Sequence, residues 1–372
     1  MQKFAVAALA AAAALALPAT AGATYSGAVS GTEATLTGDD AADSLTIDVA
    51  GGNLTHDRPA AEGFASNADF DSTVAGDQTV PATGSLTIAA GGGEDAVTFG
   101  AATNTLTAST ILGEAGDDVL SGSASADNMR GGDGNDRVIG FRGGDDLEGG
   151  AGNDQLVWNN GDGSDVMDGD DGNDEVEVNG APTAGDVFTV NPAGARVAFA
   201  RTNLGAFTLD VSTERMTLNG LGGGDTMTGA GGLAPLILIA FNGGAGADTL
   251  TGGDGPDLFS GGEDADTLAG SGGSDRVVGD RGNDTMSGGD DDDTLVWNNG
   301  DGSDRMDGEG GSDTIEVNGA PAAGDAFTLQ PNGARARFDR TNLVAFTLDI
   351  GSSELLDLNG LGGDDTFTPS AG

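Results

Sequence analysis

The 372-residue chain has no cysteine, a single histidine and a single lysine, Lys3. Without cysteine there is no disulfide framework, no thiol nucleophile and no thiolate zinc site, and the redox compartment stays open. His56 is the only imidazole, and neither H-E-x-x-H nor G-x-S-x-G occurs, which argues against zinc-protease and nucleophilic-triad chemistry. In LTHDRP, His56 reads as a loop residue. Positive charge is scarce: 14 Lys+Arg stand against 60 Asp+Glu, for a formal net charge of -46. Such a surface repels nucleic acid and anionic lipid and attracts cations. Aromatics make up 5% of the chain, and after the first residues no apolar run approaches the roughly 20 residues a membrane-spanning helix needs. Glycine is what abounds, at 68 residues, beside a hydrophobic fraction of 37%. High charge with few aromatics ordinarily signals disorder. The spacing of the hydrophobes therefore decides the matter.

At the N-terminus, Lys3 is followed by an Ala/Leu run from Phe4 to Leu17 and then by small residues. Ala21-Gly22-Ala23 fits an A-x-A cleavage site, so residues 1–23 read as a signal peptide and Thr24 as the first mature residue. The expected product is secreted, with no membrane span in the mature chain.

Internal repeats dominate the rest. Nonamers start at Gly113, Gly122, Gly131, Gly140 and Gly149; Trp158-Asn159 intervene, and two more start at Asn160 and Gly169. A second array starts at Gly243, Gly252, Gly261, Gly270, Gly279 and Gly288; after Trp297-Asn298 two more start at Asn299 and Gly308. The sixth place is always Asp and the eighth always apolar, from Leu120 and Met129 through to Met306 and Ile315. Around the arrays lies a larger duplication, in which LVWNNGDGSD and RTNLxAFTLD each occur twice. The spacers read as strands broken by Asn-Pro-Ala-Gly or Gln-Pro-Asn-Gly turns, and each ends in NGLGG-x-D, a further nonamer-like turn. Segments GDDAADSLT and AGGGEDAVT echo the unit weakly before residue 112. The expected fold is all-β: parallel β-roll or β-solenoid arrays separated by β-strand spacers, with no helix after the leader. The expected divisions are 1–23 leader, 24–112 N-terminal β region, 113–180 first array, 181–242 spacer, 243–319 second array and 320–372 C-terminal spacer.

A short strand x-U-x plus a six-residue glycine-rich turn makes half a coil, and only the middle strand residue points inward. Stacked coils lie about 4.8 Å apart, so each sixth-place Asp sits beside the Asp two nonamers away. Like charges about 4 Å apart cost on the order of 1 kcal/mol even in water. A divalent cation between turns reverses that sign, and carboxylate and carbonyl oxygens are hard ligands suited to calcium.

GGDGNDRVI, GGAGNDQLV and GGAGADTLT resemble the G-G-x-G-x-D-x-U-x unit of the RTX, or hemolysin-type, calcium-binding repeats. The resemblance covers residues 113–177 and 243–316. It implies a parallel β-roll with Ca2+ as cofactor, held between turns by the sixth-place Asp and by turn carbonyls. The metal ligands it nominates are Asp118, Asp127, Asp136, Asp145, Asp154, Asp165 and Asp174 in the first array. In the second they are Asp248, Asp257, Asp266, Asp275, Asp284, Asp293, Asp304 and Asp313. Fourth-place Gly gives way to Ser125, Asp264 and Asp291, and Pro256 stiffens one turn, which predicts altered binding there. Each Trp-Asn insertion is expected to bulge the coil and to interrupt the run of sites.

Competing readings attach to other residues. Trp158 and Trp297 are candidates for sugar-stacking platforms or for structural plugs, and their matching placement favours the plug. Arg196, Arg201, Arg335, Arg337 and Arg340 are expected to pair with nearby acids. The leading expectation is a secreted, non-enzymatic calcium-binding protein. The alternatives are a calcium-stiffened adhesion protein with a cell-surface or glycan partner, and a hydrolase whose site lies in the N-terminal region.

Overall fold

The computed structural model describes residues 25–57, 80–100, 103 and 106–370. The leader segment lies outside the described residues, as does part of the N-terminal region that the hydrolase reading requires. Among the described residues every regular element is a β-strand, and no helix is long and apolar enough to cross a membrane. The chain divides into two compact units, Met1–Glu175 and Val176–Gly372.

In the first unit, successive coils lay strands alternately on two sheets. One sheet runs Glu33–Thr37, Ser85–Gly92, Ala108–Ala115, Asp127–Asp133, Asp146–Gly152 and Val166–Gly172, all parallel. The other runs Ser44–Ala50, Ala96–Phe99, Val119–Ser121, Arg137–Ile139 and Gln155–Asn159, also parallel. Val138 pairs with Leu120 before it and Leu156 after it, so one full coil takes two nonamers. At the first Trp-Asn insertion the coil lengthens, and Leu147 pairs with Met167 in unbroken register. Among the described residues of the N-terminal region, strands continue the two parallel sheets back to Glu33 and Ser44.

The second unit repeats this plan. Thr226–Gly229, Thr249–Thr251, Thr267–Gly272, Thr285–Asp290 and Arg305–Gly310 line one sheet. Arg215–Asn219, Leu238–Ala245, Leu258–Glu263, Arg276–Arg281, Thr294–Asn298 and Thr314–Asn318 line the other. Each spacer inserts an antiparallel three-strand meander, Val187–Ala193 with Arg196–Arg201 and Phe207–Ser212, then Ala326–Asn332 with Arg335–Arg340 and Phe346–Gly351. The hairpin turns fall two residues later than the sequence suggests. Ala193 pairs with Arg196, so Gly194-Ala195 turns the chain while Asn191-Pro192 stays in the strand. Gly194 has φ +75°, which a two-residue hairpin needs and Gly adopts freely.

The core is a thin layer between the sheets. All fifteen eighth-place side chains are at most 3% exposed, each contributing about 1.5–3 kcal/mol of burial. Trp158 and Trp297 are fully buried, with Nε1 donating to the carbonyls of Gly163 and Gly302 at 2.9 and 3.0 Å. Neither indole face is open to a sugar, so the platform reading fails. His56 is also corrected: it ends the strand Asn53–His56, pairs with Ile47 and is buried.

Candidate metal centre

The nonamer phase sets where the carboxylates go. Two nonamers per coil place alternate sixth-place Asp residues on opposite edges, and the stacked coils turn each set into a column. In the first unit the backbone N–H of Asp118 donates to Oδ1 of Asp136 at 2.8 Å, that of Asp136 to Asp154 at 2.8 Å, and that of Asp154 to Asp174 at 2.8 Å. The opposite column joins Asp127 to Asp145 at 2.9 Å and Asp145 to Asp165 at 2.8 Å. In the second unit Asp248 donates to Asp266, Asp266 to Asp284 and Asp284 to Asp304, at 2.8, 2.9 and 2.9 Å. Its opposite column joins Asp257, Asp275, Asp293 and Asp313 at 2.8, 2.8 and 3.0 Å. All fifteen nominated residues thus fall into four columns, and none is more than 5% exposed.

The Trp-Asn insertions do not interrupt the columns, contrary to expectation. The rungs Asp145 to Asp165 and Asp284 to Asp304 span twenty residues yet keep bonds of 2.8 and 2.9 Å. The extra residues are absorbed in turns where Asn159 and Asn298 N–H donate to Asp162 and Asp301.

One oxygen of each carboxylate takes the rung; the other defines the site. Oδ2 of Asp118, Asp136, Asp145, Asp154, Asp248, Asp266, Asp275, Asp284, Asp293 and Asp313 is buried with no hydrogen-bond partner. A buried ionised carboxylate left in that state costs several kcal/mol unless something neutralises it. Burial accordingly pushes Asp136 and Asp154 up to about 6, Asp118 to about 7, and Asp145 and Asp275 to about 8. Neighbouring column carboxylates add to the rise, as Asp165 does for Asp145 and Asp293 for Asp275.

The first-place glycines make room for these oxygens. A Cβ on Gly131 would lie 2.2 Å from Oδ2 of Asp136 and 2.5 Å from the carbonyl oxygen of Gly149 in the next coil. The same pair of oxygens crowds Gly113, Gly149, Gly243, Gly261 and Gly270. Carboxylate and carbonyl therefore converge above these first-place glycines. The second and fourth places adopt left-handed φ, +122° at Gly132 and +141° at Gly134, which bends the turn back on itself. Asp264 and Asp291 replace fourth-place Gly but keep φ at +79° and +76°, so the turn survives at a cost of about 1–2 kcal/mol each. Among the described residues no group of three or more His, Asp or Glu side chains gathers on one point. A metal here would draw on one column carboxylate per turn together with carbonyls, a donor set of hard oxygens that fits calcium.

Oδ2 of Asp165 and of Asp304, the first column residues after each Trp-Asn insertion, is not among these buried unpartnered oxygens. Two further nominated residues have Oδ2 bonded within the chain. Oδ2 of Asp127 accepts from Ser123 N–H at 2.6 Å, and Ser123 Oγ donates to its Oδ1 at 3.0 Å. Oδ2 of Asp257 accepts from Gly253 N–H at 2.8 Å. Each begins the second column of its array, in the turns that carry Ser125 and Pro256. Their carboxylates are satisfied by the chain itself.

The columns also contain residues outside the nominated set. Asp43 donates to Asp95 and Asp95 to Asp118, both at 2.7 Å, which extends the first column into the N-terminal region. Asp225 donates to Asp248 at 2.7 Å, its Oδ2 is buried without a partner, and burial raises it to about 7. Glu354 takes the rung beyond Asp313 at 2.8 Å. The echoes GDDAAD and GGGED, and the turn NGLGGGD, carry the signals for Asp43, Asp95 and Asp225; GSSE offers none for Glu354.

The comparison with protein families agrees with this geometry. The family of the RTX calcium-binding nonapeptide repeat (4 copies) matches residues 108–138, 121–156, 161–178, 242–277, 269–296 and 299–319. No curated protein matches the chain. The matched stretches hold all fifteen nominated Asp residues, and in them the chain carries RTX calcium-binding nonapeptide repeats.

Proposed function

We propose that the protein is an exported, non-enzymatic calcium-binding protein whose arrays fold on binding the ion. The observation that carries this reading is the series of buried Oδ2 atoms with no hydrogen-bond partner, most of them facing a carbonyl of the neighbouring coil across a glycine. Bound calcium would supply the positive charge that permits those carboxylates to stay ionised in a thin apolar core. The chain's own parts have separate tasks. Oδ1 of each Asp fixes coil spacing by accepting the preceding rung's N–H, a charge-assisted bond worth about 1.5–3 kcal/mol. Oδ2 and the turn carbonyls provide ligand oxygens. First-place glycine keeps the space clear, and the eighth-place residue anchors the turn to the core.

The residues proposed to ligate are the ten nominated Asp residues named above whose Oδ2 is buried without a hydrogen-bond partner, joined by Asp225. The N-terminal region is proposed to belong to the same scaffold, because its Asp43 and Asp95 continue a column. The leader-like N-terminus and the acidic surface support export to a calcium-rich exterior, where modules of this kind bind at about 10⁻⁴ to 10⁻³ M. Titration calorimetry with calcium, and with magnesium in parallel, tests the reading. Saturable calcium binding at several sites per chain is expected, with little heat from magnesium, which demands a tighter octahedral shell. Equal binding of both ions would indicate a diffuse acidic surface and overturn the proposal.

A further inference from the structure

Two carboxylates in the second unit occupy column positions yet are built differently. Asp186 N–H donates to Oδ1 of Asp225 at 2.6 Å, and Asp325 N–H donates to Oδ1 of Asp365 at 2.8 Å, the same rung bond found in the arrays. Both side chains are fully buried. Neither has an oxygen left over. Oδ2 accepts from the N–H of Ala181 at 2.6 Å and of Ala320 at 2.7 Å. Oδ1 accepts from a guanidinium, Arg201 Nη1 at 3.2 Å and Arg340 Nη1 at 3.2 Å.

Those two arginines are themselves 4% and 3% exposed, which is exceptional in a chain whose other cations lie mostly at the surface. Each belongs to the central strand of a spacer meander and lies fifteen residues after its Asp. Other donors of the two guanidinium groups are engaged as well. Arg201 Nε reaches the Gly205 carbonyl at 3.2 Å; Arg340 Nε reaches the Val344 carbonyl at 2.8 Å, and its Nη1 reaches Asn299 Oδ1 at 2.6 Å. Aromatic faces cover the charge: Phe207 lies 5.0 Å from the Arg201 guanidinium, and Trp297 and Phe346 lie 5.4 and 5.1 Å from that of Arg340. Ring quadrupoles stabilise a desolvated cation. The Asp rung, the Ala N–H, the guanidinium and a covering Phe recur in both copies of the duplication.

We infer that Arg201 and Arg340 are fixed cations standing where the arrays need a metal, so that the rungs of Asp186 and Asp325 close without calcium. A guanidinium is permanently charged and planar, and it neutralises one carboxylate per rung without any ligand from solution. The two spacer meanders therefore fold in the absence of metal. They present a preformed coil edge, with the Asp rung already set, to the calcium-dependent array that lies between them in the second unit. The inference rests on the calcium reading for the arrays and concerns rungs which that reading does not cover.

Hydrogen–deuterium exchange of the full chain, with peptides resolved by mass spectrometry in excess chelator and in calcium, tests it. In chelator, segments 187–212 and 326–351 are expected to keep slow exchange while array segments lose it; calcium restores the arrays. Spacers that lose protection beside arrays that respond to calcium sink the inference alone. Arrays that stay protected in chelator sink the calcium reading, and with it the contrast drawn here. Three variants identify the cause. Arg340→Gln leaves Asp325 buried and unneutralised, so segment 326–351 should lose protection in chelator, whereas Arg340→Lys should keep most of it. Protection of the Gln variant equal to that of the unaltered chain overturns the inference. The double variant Asp325→Asn, Arg340→Gln buries neither charge and should regain slow exchange in chelator. If it exchanges as fast as Arg340→Gln alone, the arginine acts through packing and the inference fails.

Discussion

A carboxylate in a low-dielectric core stays ionised only beside a compensating charge, and each column Asp here solves half of that problem with a backbone N–H. Asp136 shows the balance: Oδ1 accepts the Asp118 N–H at 2.8 Å while Oδ2 has no hydrogen bond. Two predictions belong to this scale. Replacing Asp136 by Ala removes a rung and a proposed ligand together. It should raise the calcium concentration needed to order the first array and flatten the transition. Asp133, exposed in the same turn, should change stability by no more than about 0.5 kcal/mol on replacement by Ala. Calcium titrations of the two variants followed by far-ultraviolet circular dichroism check this, and equal effects would contradict the assigned phase. The second prediction is a pH dependence. Burial raises Asp136 from 3.8 to about 6 and Asp145 from 3.8 to about 8 in the folded chain. Between the unfolded and folded values the folded state holds more protons, so its stability falls as pH rises through that window. Metal-free protein should therefore be most ordered near pH 5 and lose order toward pH 8, as read by circular dichroism in chelator. With calcium present the sign reverses, because protons compete with the ion for the same oxygens.

At the scale of the element, the turn works because its glycines answer different needs. First-place Gly131 has ordinary backbone geometry but no room for a side chain, since a Cβ would meet Asp136 Oδ2 at 2.2 Å and the Gly149 carbonyl at 2.5 Å. Gly131→Ala should weaken calcium binding in calorimetry, while Gly231→Ala, where a Cβ meets nothing within 4 Å, should leave it unchanged. The Trp-Asn insertion is an element of a different kind. Trp297 stacks on Phe346 with ring centroids 3.7 Å apart, so the insertion fills the space beneath the spacer meander. Trp297→Ala should cost about 3–5 kcal/mol in calcium-saturated denaturant unfolding. What the sequence revealed follows the same division. The two-nonamer coil, the four columns and the apolar layer are legible because each depends only on the phase of one short period. Pairing of the spacer arginines was legible from charge scarcity, but not that Arg201 and Arg340 are buried against column carboxylates. The turn before Asp186 runs Gly-Ala-Pro-Thr-Ala-Gly, one residue longer than the nonamer turn, and its cation comes fifteen residues later. Asp43 stayed hidden because GDDAAD lacks the glycines at its second and fourth places, although the backbone still completes the rung. Local pattern reports local geometry, and a contact made across a meander leaves no period to read.

For the molecule as a whole, charge decides whether the coils can close. A formal net charge of -46 opposes compaction, and salt screens only the exposed part of that repulsion. The buried columns are beyond the reach of screening, so monovalent salt should not replace calcium. The central claim is that calcium binding and formation of the array coils are one event. Its most direct test is far-ultraviolet circular dichroism of the full chain at pH 8, first in excess chelator and then across a calcium titration, with magnesium and sodium chloride as controls. The account predicts a residual β-signal from the spacers in chelator, a cooperative gain of β-structure with calcium, and no comparable gain with either control. A full β-signal already present in chelator, unchanged by calcium, would contradict it.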